Sequence, residues 1–315
     1  TKDLHTVENV TFEKNGKTFR KLKGVLDVWF DSGVASWASM GYPKKNKEIF
    51  EAHFPVSRIN EAQDQIRGWF YSLMFCAAAT FGKPAFKEVS MTGWVLDKSG
   101  NKMSKSLGNV VTAEIALKEL GADMLRYYFC WDVAPYETQR FNIDIAKKEI
   151  GRILNVLWNL QNLATNDKMS AEDVEDKWII SRLERTTQRF IEGIENFEFQ
   201  FAMRELSSFI LEDLSRSYIQ MSRDKDKGAI ISYCLERILR MLAPVSPFIT
   251  EKIWQSLRDK KIVEKESVHL CEWPNYDKKK IDEKLESIFE YGLKTIEKGL
   301  SERDKIKIGL KWPLK

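Results

Sequence analysis

The chain has 315 residues, 43% hydrophobic and 30% charged, which excludes an intrinsically disordered protein and leaves enough apolar material for two cores. The 50 basic and 46 acidic residues leave a net charge of +4, so charge alone does not mark a polyanion binder, and any such contact must come from local patches. Cys76, Cys130, Cys234 and Cys271 lie far apart with no paired short spacing, which argues against a disulfide framework and a zinc site and fits a reducing compartment. No apolar run reaches the roughly 18 residues of a membrane span, and the N-terminal residues form no apolar signal segment, so a cytoplasmic protein is expected.

Residues 1–23 alternate apolar and polar positions around Asn15-Gly16, a pattern that predicts a β-hairpin with a tight turn. From Gly24 to about Thr92 strand and helix alternate, with a short strand over 56–59 and a mostly apolar helix over 65–80. Further strand is predicted over 86–91 and 94–96, then a loop, then a helix from about Thr112 that stops near Gly121. This is α/β texture, and the loop hangs off the end of a sheet, where open α/β folds bind their ligands.

That loop carries Lys102-Met103-Ser104-Lys105-Ser106 between Gly100 and Gly108. Two ammonium groups three positions apart on long, flexible stems can follow negative charge as it moves between phosphate oxygens, and the glycines are candidate hinges. The competing use is a solvated surface loop.

Beyond about Asn142 apolar residues recur at helical spacing throughout, as in Ala146, Ile150, Ile153, Leu157, Leu160, Ala164 and in Leu206, Ile210, Leu214, Tyr218. Helices over 231–242 and 248–257 and a stripe of Ile281, Leu285, Ile288, Ile296 and Leu300 complete a predicted bundle, with Trp158, Trp178, Phe190 and Phe209 assigned to its core. The charged run 223–228 is taken as a turn and nothing more.

Glu61, Asp64 and Gln65 sit where the 56–59 strand gives way to helix, so their carboxylates and amide can hold an ammonium and ribose hydroxyls; helix capping by Asp64 is the alternative. Trp29 and Trp69 are either core residues or the walls of a pocket for a branched alkyl group.

Four segments carry a resemblance. The lysine pentapeptide, within the run from Gly93 to Val111, matches the second signature of the class I aminoacyl-tRNA synthetases. Asp27-Val28-Trp29-Phe30-Asp31-Ser32-Gly33, the run Glu61 to Phe70, and Gly121-Ala122-Asp123-Met124-Leu125-Arg126-Tyr127-Tyr128 resemble the isoleucyl group within that class. The resemblance implies ATP with Mg2+ as substrate and L-isoleucine and tRNA(Ile) as partners. Lys102 and Lys105 would be catalytic, with Lys102, Met103, Ser104, Lys105 and Ser106 around ATP. Glu61, Asp64, Gln65, Trp29 and Trp69 would surround the aminoacyl-adenylate. Ala62 stands where the family has Gly. No metal site is expected.

The implied fold is α/β plus all-α: residues 1–23 as the return from an editing insertion, 24–141 as the second half of a Rossmann-like catalytic domain, and 142–315 as a helical anticodon-binding bundle. The only histidines are His5, His53 and His269, so the first class signature, a His-x-Gly-His cluster, is missing. The chain is therefore expected to be a C-terminal fragment that needs the N-terminal half of its parent. Two rivals stay open: a valyl or leucyl synthetase fragment, and a non-catalytic RNA-binding module.

Overall fold

The computed structural model describes residues 11–20, 27–307 and 312, and the chain divides into two units, Thr1–Trp94 and Val95–Lys315. The parts of the predicted hairpin in 1–10 and 21–23, with His5, lie outside the described residues, as do residues 308–311 and 313–315.

In the first unit, β1 (Thr11–Lys14) and β2 (Lys17–Arg20) pair antiparallel around Asn15 at φ 55° and Gly16 at φ 71°. Two consecutive positive φ values are what a two-residue turn with the right twist requires, and Asn-Gly adopts them at low cost. Short helices α1 (Val28–Gly33), α2 (Ala35–Ala38) and α3 (Lys47–His53) lead into β3 (Val56–Ala62), α4 (Trp69–Phe81) and β4 (Phe86–Thr92). β3 and β4 run parallel, with Val56 opposite Phe86 and Ala62 opposite Thr92, so the β3–α4–β4 segment is a βαβ crossover. Two sequence expectations shift. The strand extends to Ala62, and the helix expected over 65–80 opens as a 3₁₀ turn (Gln63–Arg67) before α-helix begins at Trp69. Gly68 marks the join, since a Cβ there would come within 2.6 Å of the Gln65 side-chain oxygen.

The first unit's core is Trp37, Phe50, Ile59, Phe70, Leu73, Cys76, Ala77 and Ala85. α1 lies against α4 through Gly33, where a Cβ would meet Cys76 Sγ and the Ser72 carbonyl oxygen at 3.0 Å each. A side chain at that position would push the two helices apart.

The second unit opens with the two-residue strand β5 (Val95–Leu96), followed after the lysine loop by α5 (Ala113–Trp131), capped by the Thr112 hydroxyl. The expected stop at Gly121 is a break within α5, where Gly121 takes φ 73° and the helix resumes. β6 (Gln139–Arg140) pairs in parallel with β5 and places Arg140 opposite Leu96.

The bundle comprises α6 (Ile143–Ile145), α7 (Gly151–Leu163), α8 (Val174–Glu195), α9 (Phe199–Ser208), α10 (Ile219–Met221), α11 (Gly228–Leu242), α12 (Pro247–Asp259) and α13 (Glu283–Lys305). π-helical stretches at Ala146–Ile150 and Phe209–Tyr218 join α6 to α7 and α9 to α10 without a break. Caps read directly from sequence: an Asp173/Asp176 capping box opens α8, Pro247 occupies the first turn of α12, and Asp282 accepts from the Leu285 amide at the start of α13.

Every residue of the two predicted apolar series, Ala146 to Ala164 and Leu206 to Tyr218, is buried. Trp178, Phe190 and Phe209 are core as expected, but Trp158 is not. It is 41% exposed, because it falls on the outward side of α7 between the buried Leu157 and Leu160. The α13 stripe also departs from expectation. Leu285 and Leu293 pack on the bundle, whereas Ile288, Ile296 and Leu300 are exposed.

Candidate active site

The lysine loop is built from short-range hydrogen bonds around two side chains. Asp97 Oδ1 accepts from the backbone amides of Ser99 at 2.9 Å and Asn101 at 2.8 Å, an Asx turn that reverses the chain. Gly100, at φ 86°, completes that turn, and a Cβ there would crowd the Arg140 guanidinium at 3.2 Å from Nε. The returning strand bridges Lys102 to Leu96. Ser104 caps the 3₁₀ turn Lys105–Leu107 by accepting from the Leu107 amide, and Gly108 closes it in the left-handed region at φ 64°. Asn109 then ties the loop together: its Oδ1 accepts from Ser104 N at 2.9 Å, and its Nδ2 donates to Asp97 Oδ2 at 2.8 Å and the Lys102 carbonyl at 3.2 Å. These bonds, led by the Asn101 amide and then Asn109, hold the Asp97 carboxyl below the usual carboxylate range.

Lys102, Lys105 and Ser106 are exposed, and Met103 and Ser104 are half-buried. Among the described residues neither lysine makes an ion pair, so both ammonium groups stand available to an anion. Asp97 and Asn109 were missed by the sequence reading. The available signal was an Asp followed by Lys-Ser-Gly, the pattern of an Asx turn, and an Asn directly after the closing glycine.

In the first unit, Glu61 lies exposed in the last positions of β3, its carboxylate turned back on the Ala62 amide at 3.2 Å. Asp64 is exposed in the 3₁₀ turn and caps no helix, which removes the capping alternative. That role falls to Gln65, whose Oε1 accepts from the Trp69 amide at 2.8 Å, leaving its NH2 as the group turned to other partners. Trp69 is half-buried, and its indole N–H donates to the Ser32 carbonyl at 3.1 Å; Trp29, in the same α1, is 51% exposed. Trp69 and Gln65 are therefore gathered where α1 meets α4, and Trp29 stands exposed one turn earlier on α1. Lys102 and Lys105 belong to the second unit.

The charged run 223–228 does more than turn the chain. Lys227 donates to Asp173 at 2.8 Å and to the fully buried Asp176 at 2.7 Å, Lys225 pairs with Asp173 and Glu175, and the Tyr218 hydroxyl donates to Asp176 at 2.8 Å. Burial pushes the Cys234 thiol up to about 12, which marks it as packing rather than chemistry. Among the described residues no three His, Cys, Asp or Glu side chains group to ligate a metal, and no helix is long and apolar enough to cross a membrane.

Residues 1–142 match the family described as tRNA synthetases class I (I, L, M and V), and residues 176–315 match the anticodon-binding domain of tRNA ligase. The chain is 38% identical to the isoleucine–tRNA ligase of Thermococcus kodakarensis and 39% identical to that of Pyrococcus abyssi, in each case over 99% of the chain and 32% of the relative. The corresponding ligase of Methanothermobacter thermautotrophicus is 37% identical over 95% of the chain and 31% of the relative. The chain thus spans about a third of the length of the curated relatives it matches. Among solved structures it superposes on the Agrobacterium radiobacter K84 leucyl enzyme, crystallised as a ternary complex with tRNA. The TM-score is 0.67 at 19% identity, covering 87% of this chain and 36% of that one. It also superposes on Mycobacterium tuberculosis methionyl-tRNA synthetase with methionyl-adenylate, with a TM-score of 0.60 at 17% identity over 72% of this chain and 49% of that one. The chain is thus similar over 1–142 to the class I tRNA synthetases and over 176–315 to the anticodon-binding domain of tRNA ligase, and it shares the fold of two solved synthetases.

Proposed function

We propose that the chain is the part of an isoleucine–tRNA ligase that supplies the lysine loop of the catalytic domain and the helical anticodon-binding domain. The parent joins L-isoleucine to tRNA(Ile) with ATP and Mg2+. The division proposed is residues 24–141 for the catalytic half and 142–315 for the tRNA-binding bundle, in keeping with a synthetase match that ends at 142 and an anticodon-domain match that begins at 176.

In this reading an isoleucine carboxylate oxygen attacks the α-phosphorus of ATP, the bond from that phosphorus to the bridging oxygen breaks, and pyrophosphate leaves with the electron pair. Lys102 and Lys105 neutralise the charge that grows on the leaving group, which is where fixed cations contribute most. The Met103, Ser104 and Ser106 segment lies along the ATP. Glu61, Asp64 and Gln65 hold the ammonium and ribose hydroxyls of the adenylate, and Trp29 and Trp69 face the branched side chain. Mg2+ enters with ATP as part of the substrate, and the N-terminal half of the parent supplies the adenine-side contacts.

The observation that carries this reading is the ordered loop presenting two ammonium groups that make no ion pair among the described residues, in a chain that is similar to curated isoleucine ligases. Amino-acid-dependent ATP–pyrophosphate exchange, with this segment joined to the N-terminal half of its parent, tests it. Exchange that prefers isoleucine over valine and leucine is expected. Salt-sensitive tRNA binding with no exchange for any amino acid would replace it by the RNA-binding module.

A further inference from the structure

Asn109 grips the loop backbone on both sides of Met103, accepting from the Ser104 amide and donating to the Lys102 carbonyl, while the same amide nitrogen donates to Asp97. Asp97 in turn fixes the reversal that brings the returning strand back beside β5 through the Ser99 and Asn101 amides. Ser104, held by Asn109, caps the turn on which Lys105 stands. Two side chains 12 positions apart thereby set the backbone at Lys102 and at Lys105 together.

We propose that Asp97 and Asn109 are positioning residues for adenylate formation, acting through the placement of the two lysines; the proposal rests on the ligase reading above. The physical ground is that cations stabilise a transition state in proportion to how well they are placed beforehand, and each lysine alone has a long, flexible stem. With no ion pair on either lysine among the described residues, the backbone is what restricts where the ammonium groups go. Replacing Asn109 removes all three of its hydrogen bonds at once. Replacing Asp97 with Asn keeps an acceptor for the two turn amides but puts an NH2 against the NH2 of Asn109.

The test uses the complete ligase containing this segment, with Asn109→Ala, Asp97→Asn and the exchange pair Asp97→Asn with Asn109→Asp. The pair restores an amide–carboxylate bond between the two positions and an acceptor for Ser104 N. Each single variant is expected to lower kcat for isoleucine-dependent pyrophosphate exchange by about a hundredfold, with a smaller change in KM for ATP, and the pair to recover about tenfold of it. Amide hydrogen exchange is read in parallel: Ser104, whose amide donates to Asn109, should lose protection in the single variants while α5 keeps its own. Unchanged kcat, an effect wholly in KM for ATP, or a loss of protection that spreads through α5 and is not rescued by the pair would overturn the proposal. An unsubstituted ligase without isoleucine-dependent exchange would sink the ligase reading instead, and the amide protection at Ser104 would still report whether the clamp exists.

Discussion

Asp123 caps a helix 126 positions away: its Oδ2 accepts from the Ile249 amide at 2.7 Å in the first turn of α12. Ser246, the residue placed to cap that helix, spends its hydroxyl on the Asp123 carbonyl at 3.3 Å instead. Arg126 completes the link, donating to Asp123 Oδ1 at 2.5 Å and to the Val245 carbonyl at 2.9 Å. The Gly-Ala-Asp-Met-Leu-Arg segment, seen in sequence as a family landmark, thus has a structural use in joining α5 to the bundle.

Asp123→Ala should destabilise the protein by about 1–3 kcal/mol, the sum of a lost cap and an unsatisfied donor. Asp123→Asn, which keeps an acceptor, should lose less. Urea unfolding of the two variants separates the outcomes, and equal losses would show that the charge rather than the cap matters.

Lys227 and Lys225 differ sharply although they are two residues apart. Lys227 is 12% exposed at its side chain and pairs with fully buried Asp176, so Lys227→Met should cost about 3–5 kcal/mol by leaving a buried charge without its cation. The Lys225 side chain is 44% exposed, and Lys225→Met should cost under about 1 kcal/mol. Comparing the two midpoints in denaturant checks the ranking.

The same cluster predicts an acid response. Hydrogen bonds from Lys227 and then Lys225 lower the Asp173 carboxyl from 3.8 to about 2. A depressed carboxyl contributes stability that is complete above its unfolded value and is lost as pH falls through its folded value. Melting temperature should therefore drop through the window from 3.8 to about 2, and Lys227→Met should flatten that drop. A pH series of melting curves for both proteins decides it.

Trp178 is 2% exposed and stacks on Phe289 with ring centroids 4.8 Å apart, whereas Trp158 is 41% exposed. Trp178→Ala should cost about 3–5 kcal/mol and Trp158→Ala under about 1 kcal/mol. Thermal unfolding of the pair measures this directly.

Lys105→Ala in the complete ligase should slow pyrophosphate exchange by about a hundredfold or more, with the melting temperature unchanged because the exposed side chain pairs with nothing among the described residues. Pre-steady-state adenylate formation with both proteins is the measurement, and equal rates would remove Lys105 from the proposed machinery.

Local rules carry much of this chain in its sequence. Asn15-Gly16 dictated a hairpin turn, helical periodicity dictated α7 to α12, and Lys102 to Ser106 between two glycines marked a loop that exposes two lysines, because turn chemistry, period and charge act over a few residues. Tertiary structure decided what depends on partners far along the chain. It assigned Gln65 rather than Asp64 to the cap of α4, turned Trp158 outward, left part of the α13 stripe in solvent, drew Lys227 onto buried Asp176, and set Asn109 across the lysine loop. A side chain's periodicity shows which face of its helix it occupies, but burial and hydrogen bonding depend on what packs against that face, and that is fixed only when distant segments meet.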